Sequence, residues 1–243
     1  MMTRLRLAFA AVASALSGAA LSEPSFVPVY PVNFPDPNVI LVDGKFVTLR
    51  VAYPMGFFAK WMDGRIDDPN VILVDGKFVA YSTNDGINLP MATSKDLVSW
   101  APVMDPAKPG KRLDGMPTLA PWVKEGFTWA PEVYKIGADY LLYYTANNRK
   151  IDRQCIGLAV ANNPLGPFRD TSDKPFLCQE TLGGTIDANI FRDKEGKLYL
   201  YYKNDGNRVG KVSEIWGQRL SDDGRTLIGA AGASGEAPTT GSS

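Results

Sequence analysis

The sequence contains no histidine. That absence excludes Ser-His-Asp and Cys-His nucleophilic systems in their usual forms, and zinc sites that use imidazole. Acid–base chemistry must therefore rest mainly on carboxylates, with tyrosine or lysine as lesser options. Net charge is also absent: 26 basic side chains balance 26 acidic ones across 243 residues. This balance argues against an electrostatic binder of nucleic acid or of a membrane surface. No segment sustains a 3.6-residue apolar period with caps, so helix is scarce. Gly183-Gly184-Thr185 lacks the strand–loop–helix context of a phosphate loop. No metal-ligand spacing is visible and no cofactor is predicted, although oxygen ligands are plentiful enough for a calcium ion in a channel.

Cysteine is nearly absent too, with two residues, Cys155 and Cys178. Their meaning depends on the compartment. Arg4 and Arg6 precede a short apolar run from Leu7 to Leu16, and Gly18-Ala19-Ala20 supplies small residues for cleavage. The run is shorter than the roughly 20 residues a membrane span needs. Residues 1–22 thus read as a secretory signal, and a secreted protein, free of the membrane after signal removal, is expected. In an oxidising compartment the two cysteines are expected to form a disulfide, with two separate buried thiols as the alternative.

What is present suits many short strands. Hydrophobic residues make up 45% of the chain, enough for a real core, and 23 glycines and 18 prolines supply turns. A proline-rich lead opens residues 23–67. The same twelve residues, Asp-Pro-Asn-Val-Ile-Leu-Val-Asp-Gly-Lys-Phe-Val, occur at Asp36–Val47 and at Asp68–Val79. Each copy reads as a β-hairpin: an aliphatic strand, an Asp-Gly turn and a returning strand. From Asp68 a weak period of about 50–65 residues appears, the range of propellers and similar arrays. Asp68-Pro-Asn-Val, Ala130-Pro-Glu-Val and Asp187-Ala-Asn-Ile each open a strand–turn–strand unit. Two further strand candidates follow in every unit. Four short strands repeated radially make the blades of an all-β propeller. A sandwich of evenly spaced strands is the alternative, and similarity at blade length favours the propeller. About three blades are expected over 68–229, with 230–243 a flexible tail or the start of a truncated blade.

Aligning the units places Asp68, Ala130 and Asp187 at one position, the head of each first strand. First strands line the channel of a propeller, so their heads converge at one end of it. Glu236, in Gly235-Glu236-Ala237-Pro238, matches the same register. Converging carboxylates without histidine suit glycoside hydrolysis, in which one carboxylic acid protonates the leaving oxygen and one carboxylate activates water. A third carboxylate can raise the pKa of the acid. Glu214 is out of register and reads as a solvated charge. Trp129, just before a strand head, is expected to stack on a sugar or to pack in the core. Glu132, two places past the head, is expected to face a sugar or to pair with a cation. Arg219, Lys203 and Asn204 are further candidates for sugar hydroxyls.

FPDPNVI (34–40) or DDPNVI (67–72), TWAPEVY (128–134) and GGTIDANIFRD (183–193) together resemble glycoside hydrolase family 43. YYKNDGNRVGK (201–211) and IWGQRLS (215–221) extend the likeness, which covers most of the chain from Asn33 to Gly229. The resemblance implies a five-bladed propeller that cleaves arabinose- and xylose-containing polysaccharides with inversion. It makes the Asp-Pro aspartate, Asp68 or its rival Asp36, the general base, and Asp187 the residue that tunes and orients the acid. It assigns the general acid to a glutamate at the head of the fourth blade, which only Glu236 resembles here. The second copy of the repeat runs straight into the rest of its blade, which favours Asp68. A catalytically incomplete propeller or a non-catalytic carbohydrate-binding module is the competing functional reading, because two of the family's blades are missing.

Overall fold

The computed structural model describes residues 68–233 in full, and residues 38–42 and 45–49 as strands. The expected signal segment, Asp36 and Glu236 lie outside the described residues.

The duplicated stretch folds the same way twice. Strands β1 (Asn38–Val42) and β2 (Lys45–Leu49) pair antiparallel, with Val42 opposite Lys45. Strands β3 (Asn70–Val74) and β4 (Lys77–Tyr81) pair in the same register, with Val74 opposite Lys77. Asp75 and Gly76 of the second copy both take positive φ, the conformation a two-residue hairpin turn requires. Identical local sequence therefore sets identical pairing. Among the described residues the first copy forms a two-stranded sheet. The second gains β5 (Met91–Ser94) and β6 (Trp100–Pro102) and becomes a four-stranded blade in simple up-and-down order.

The second blade contains β7 (Val123–Ile136), β8 (Asp139–Asn148) and β9 (Arg153–Ala161). The sequence reading expects a fourth strand here; the structure has three. Arg169 and Leu177 instead make isolated antiparallel bridges to Val160 and Ile156. Pro164, Pro167 and Pro175 cannot donate to a ladder, which breaks continuous pairing along this outer edge. The third blade is complete, with β10 (Thr185–Arg192), β11 (Leu198–Asn204), β12 (Ile215–Leu220) and β13 (Leu227–Ala233) in sequence order. β13 runs on to Ala233, past the expected end of the blade at 229. The architecture is an all-β array of propeller blades, in which β7 lies between β3 and β10.

Two cores fill the seams between blades, and β8 supplies both. Tyr140, Leu142 and Tyr144 pack with Val79, Tyr81, Leu89 and Met91 of the first blade and with Trp122. Leu141 and Tyr143 point the other way, to Ile190, Leu198, Leu200 and Tyr202 of the third blade. The alternation is the two-residue period of a strand, and both faces are buried, so the stretch reads as an unbroken apolar run. Each fully buried aliphatic side chain contributes roughly 1.5–3 kcal/mol. Gly157 lies opposite Tyr144 in the β8–β9 ladder. A Cβ there would overlap the Tyr144 ring, so only glycine lets the ring lie flat in its seam.

Candidate active site

The three aligned strand-head residues share one backbone conformation. Asp68, Ala130 and Asp187 have φ of 49°, 43° and 59°. A left-handed conformation is uncommon outside glycine. Ala130 has no side chain able to bond locally and adopts it all the same. In β7 the β8 register shifts between Trp129 and Glu132, and in β10 the β11 register shifts between Ile186 and Asn189. Ala130 and Asp187 therefore sit within first-strand irregularities that re-aim their side chains, whereas Asp68 lies two residues ahead of β3, whose ladder to β4 is regular. Pro131 is tolerated at such a bulge because no ladder partner requires its missing N–H.

A second aligned position ties these residues together across the blades. The Thr83 hydroxyl donates to Asp68 Oδ2 at 2.9 Å and accepts the Ala130 amide at 3.0 Å. Thr145 Oγ1 accepts the Asp187 amide at 3.1 Å. Each threonine lies two residues beyond a tyrosine, Tyr81 or Tyr143, that faces the residue two past the strand head of its blade. In the third blade Lys203 holds this position, with Nζ 2.9 Å from Asp187 Oδ2. Thr83, Thr145 and Lys203 thus link each strand-head residue to its own blade or to the next. Sequence reasoning missed the threonines, although their common place in the aligned units was visible.

Glu132 is not where a sugar could reach it. It is only 7% exposed, and its oxygens are engaged by neighbouring blades. Asn70 Nδ2 donates to Oε2 at 2.6 Å, and the Ile190 amide donates to Oε1 at 3.1 Å. Burial pushes its carboxyl up to about 7, against the hydrogen bonds from Ile190 and Asn70 that favour the charged form. The expectation that Glu132 faces a substrate or pairs with a cation is therefore replaced by a bridging role. The bulge explains the error, since it breaks the two-residue alternation on which the facing assignment rests.

Trp129 remains accessible. The residue is 36% exposed, and its ring centroid lies 6.2 Å from that of the equally exposed Phe127, with the Lys124 ammonium 5.0 Å from the Phe127 centroid. Asn204 is fully buried and acts in the scaffold: it accepts from the Glu214 amide and the Trp216 indole and donates to Leu182 and Val212 carbonyls. Glu214 is an exposed side chain. Among the described residues no group of three or more His, Cys, Asp or Glu side chains could hold a metal ion.

Close backbone contact sets the approach to Asp187. Gly184, at φ +122°, passes so near Gln154 that a Cβ would collide with its carbonyl oxygen. Cys155, the next residue, is bridged to Cys178, 23 positions away. The Gln179 amide in turn donates to the Thr185 hydroxyl at 2.8 Å. The strand that presents Asp187 is thus fastened to the second blade by backbone contact and by a covalent bridge next to it.

The chain resembles known proteins along most of this framework. It is 28% identical over 140 residues to the extracellular endo-alpha-(1->5)-L-arabinanase 2 of Bacillus subtilis, covering 48% of this chain and 29% of that protein. It is 26% identical over 181 residues to the extracellular endo-alpha-(1->5)-L-arabinanase of Thermotoga petrophila, covering 63% of this chain and 38% of that protein. A crystal structure of a thermostable family-43 glycoside hydrolase superposes with a TM-score of 0.54 at 26% identity, over 72% of this chain and 54% of the other. The chain thus spans well under half the length of these two curated relatives. No helix among the described residues is long and apolar enough to cross a membrane. Residues 62–240 match the model of glycosyl hydrolases family 43, and the chain belongs to that family.

Proposed function

We propose that the protein is a secreted glycosidase that hydrolyses O-glycosidic bonds of arabinose- or xylose-containing plant polysaccharides with inversion. The observation that carries this reading is the left-handed geometry shared by the three strand heads, two of which are aspartates. Support also comes from two relatives named as extracellular arabinanases. Asp68, with Asp36 as the rival, takes a proton from water as the oxygen forms its bond to the anomeric carbon. The glycosidic C–O bond breaks as a glutamic acid gives its proton to the departing oxygen. Glu236 is the candidate for that acid. Asp187 tunes and orients the acid, and Lys203 holds Asp187 in place. Trp129 offers an aromatic face to a sugar ring.

Release of reducing sugar from arabinan and arabinoxylan tests the assignment. The protein is expected to release it, and Asp68→Asn and Asp187→Asn to lose most of that turnover. Full turnover in Asp187→Asn would sink the role given to that residue. The exposed Phe127–Trp129 pair also fits a second reading, a carbohydrate-binding propeller without chemistry. Saturable binding of arabinan without sugar release would favour that reading.

A further inference from the structure

We infer that Glu132 is a positioning residue that sets the placement of Asp68 relative to Asp187, an inference that rests on the hydrolase reading above. Asn70, Glu132 and Asn189 each lie two residues beyond a strand head, on three successive first strands. They form a relay. The Val133 amide donates to Asn70 Oδ1 at 3.0 Å, from the second blade to the first. The Ile190 amide donates to Glu132 Oε1 at 3.1 Å, from the third blade to the second. Asn189 Nδ2 approaches the same oxygen at 3.4 Å.

The chemistry explains why the middle member is a glutamate. The Val133 amide fixes the Asn70 side-chain oxygen, so Asn70 must turn its NH₂ toward Glu132, where it donates at 2.6 Å. The third blade also presents donors. Glu132 is thus flanked by donors on both sides, and in its ionised form, which prevails above its raised pKa, it accepts at both oxygens as no amide can. A glutamine would satisfy one side and set an N–H against an N–H on the other, leaving a buried donor unpaired. Each anchor is two or three residues from an aspartate held in left-handed conformation. A shift of the anchor therefore moves that aspartate directly.

The test compares Glu132→Gln with the double variant Glu132→Gln/Asn70→Asp. The double variant restores complementarity: the carboxylate introduced at position 70 accepts both from the Val133 amide and from the new glutamine NH₂, while the glutamine oxygen accepts the Ile190 amide. Assayed at about pH 8, where Glu132 is ionised, Glu132→Gln is expected to lower kcat on arabinan about 10- to 100-fold while KM changes less than about threefold, the signature of misplaced groups. The double variant is expected to recover at least about tenfold of that loss. Hydrogen exchange provides a readout independent of activity: protection of the Val133 and Ile190 amides falls in the single variant and returns in the double. Unchanged kcat and unchanged exchange in Glu132→Gln would overturn the inference, as would a double variant no better than the single. If the unsubstituted protein releases no sugar, the hydrolase reading fails, and exchange alone decides whether Glu132 couples the strands that carry Asp68 and Asp187. Should Glu132→Gln not fold, the double variant must; its failure would equally overturn the inference.

Discussion

Lys203 stands to Asp187 as Thr83 stands to Asp68. Each lies two residues beyond the tyrosine that faces the residue two past the strand head, Lys203 within β11 and Thr83 just past the end of β4, and each reaches the strand-head aspartate at 2.9 Å. One contact is an ion pair and the other a neutral donor to a carboxylate. The two aspartates thus share a backbone geometry but not an electrostatic setting.

Replacing Lys203 with threonine would give the third blade the partner of the first. Both members of the pair are partly exposed, so the change in unfolding free energy is expected to stay under about 1 kcal/mol. Turnover of arabinan is expected to fall much further than stability. Urea unfolding and initial-rate measurements on the same preparation check the contrast.

Thr83→Val removes a donor to Asp68 and the acceptor of the Ala130 amide at once. A loss of about 1–3 kcal/mol is expected, the cost of leaving a partly buried amide unpaired. Thr83→Ser keeps the hydroxyl and is expected to retain most of the stability. Denaturant midpoints of the two variants should separate clearly.

Glu132 gives a pH dependence with a definite sign. Its folded pKa, about 7, lies above the ordinary 4.5, so the folded state holds a proton that the unfolded chain has already released. The resulting stabilisation is complete below about pH 4.5 and is lost as the pH rises through 7. Over that window it amounts to about 3 kcal/mol. Melting temperatures of the unsubstituted protein and of Glu132→Gln, measured from pH 4.5 to 8, should therefore differ in slope, only the former falling with this added steepness.

Cys155 and Cys178 close a loop of 23 positions. Replacing both with alanine is expected to cost about 3 kcal/mol, chiefly by freeing the unfolded chain. The change in melting temperature on adding a reducing agent should match the change caused by the double substitution.

Much of this framework was legible in the residues. Val71–Val74 followed by Asp75-Gly76 can hardly be anything but a strand and its turn, and the strand heads align by eye once the period is seen. The aligned place of Thr83 was also visible, but its hydrogen bond to Asp68 emerged only in the structure. Other features were hidden for physical reasons. The β7 segment from Val123 to Thr128 alternates poorly, because four consecutive residues, Lys124 to Phe127, are exposed. The missing fourth strand of the second blade reflects prolines whose effect on a ladder depends on which edge they face. Glu132 was misread because facing is counted in twos along a strand, and a bulge removes the count. Its burial became visible only when three blades were set side by side.

The two-sided packing of β8 gives the strand a form of addressing. Odd positions 141 and 143 belong to one seam and even positions 140, 142 and 144 to the other. A void opened at Leu142 is felt by the blade that carries Asp68, and one opened at Leu141 by the blade that carries Asp187. Neighbouring residues in one strand thus act as separate controls, and parity alone decides which half of the candidate site each one disturbs.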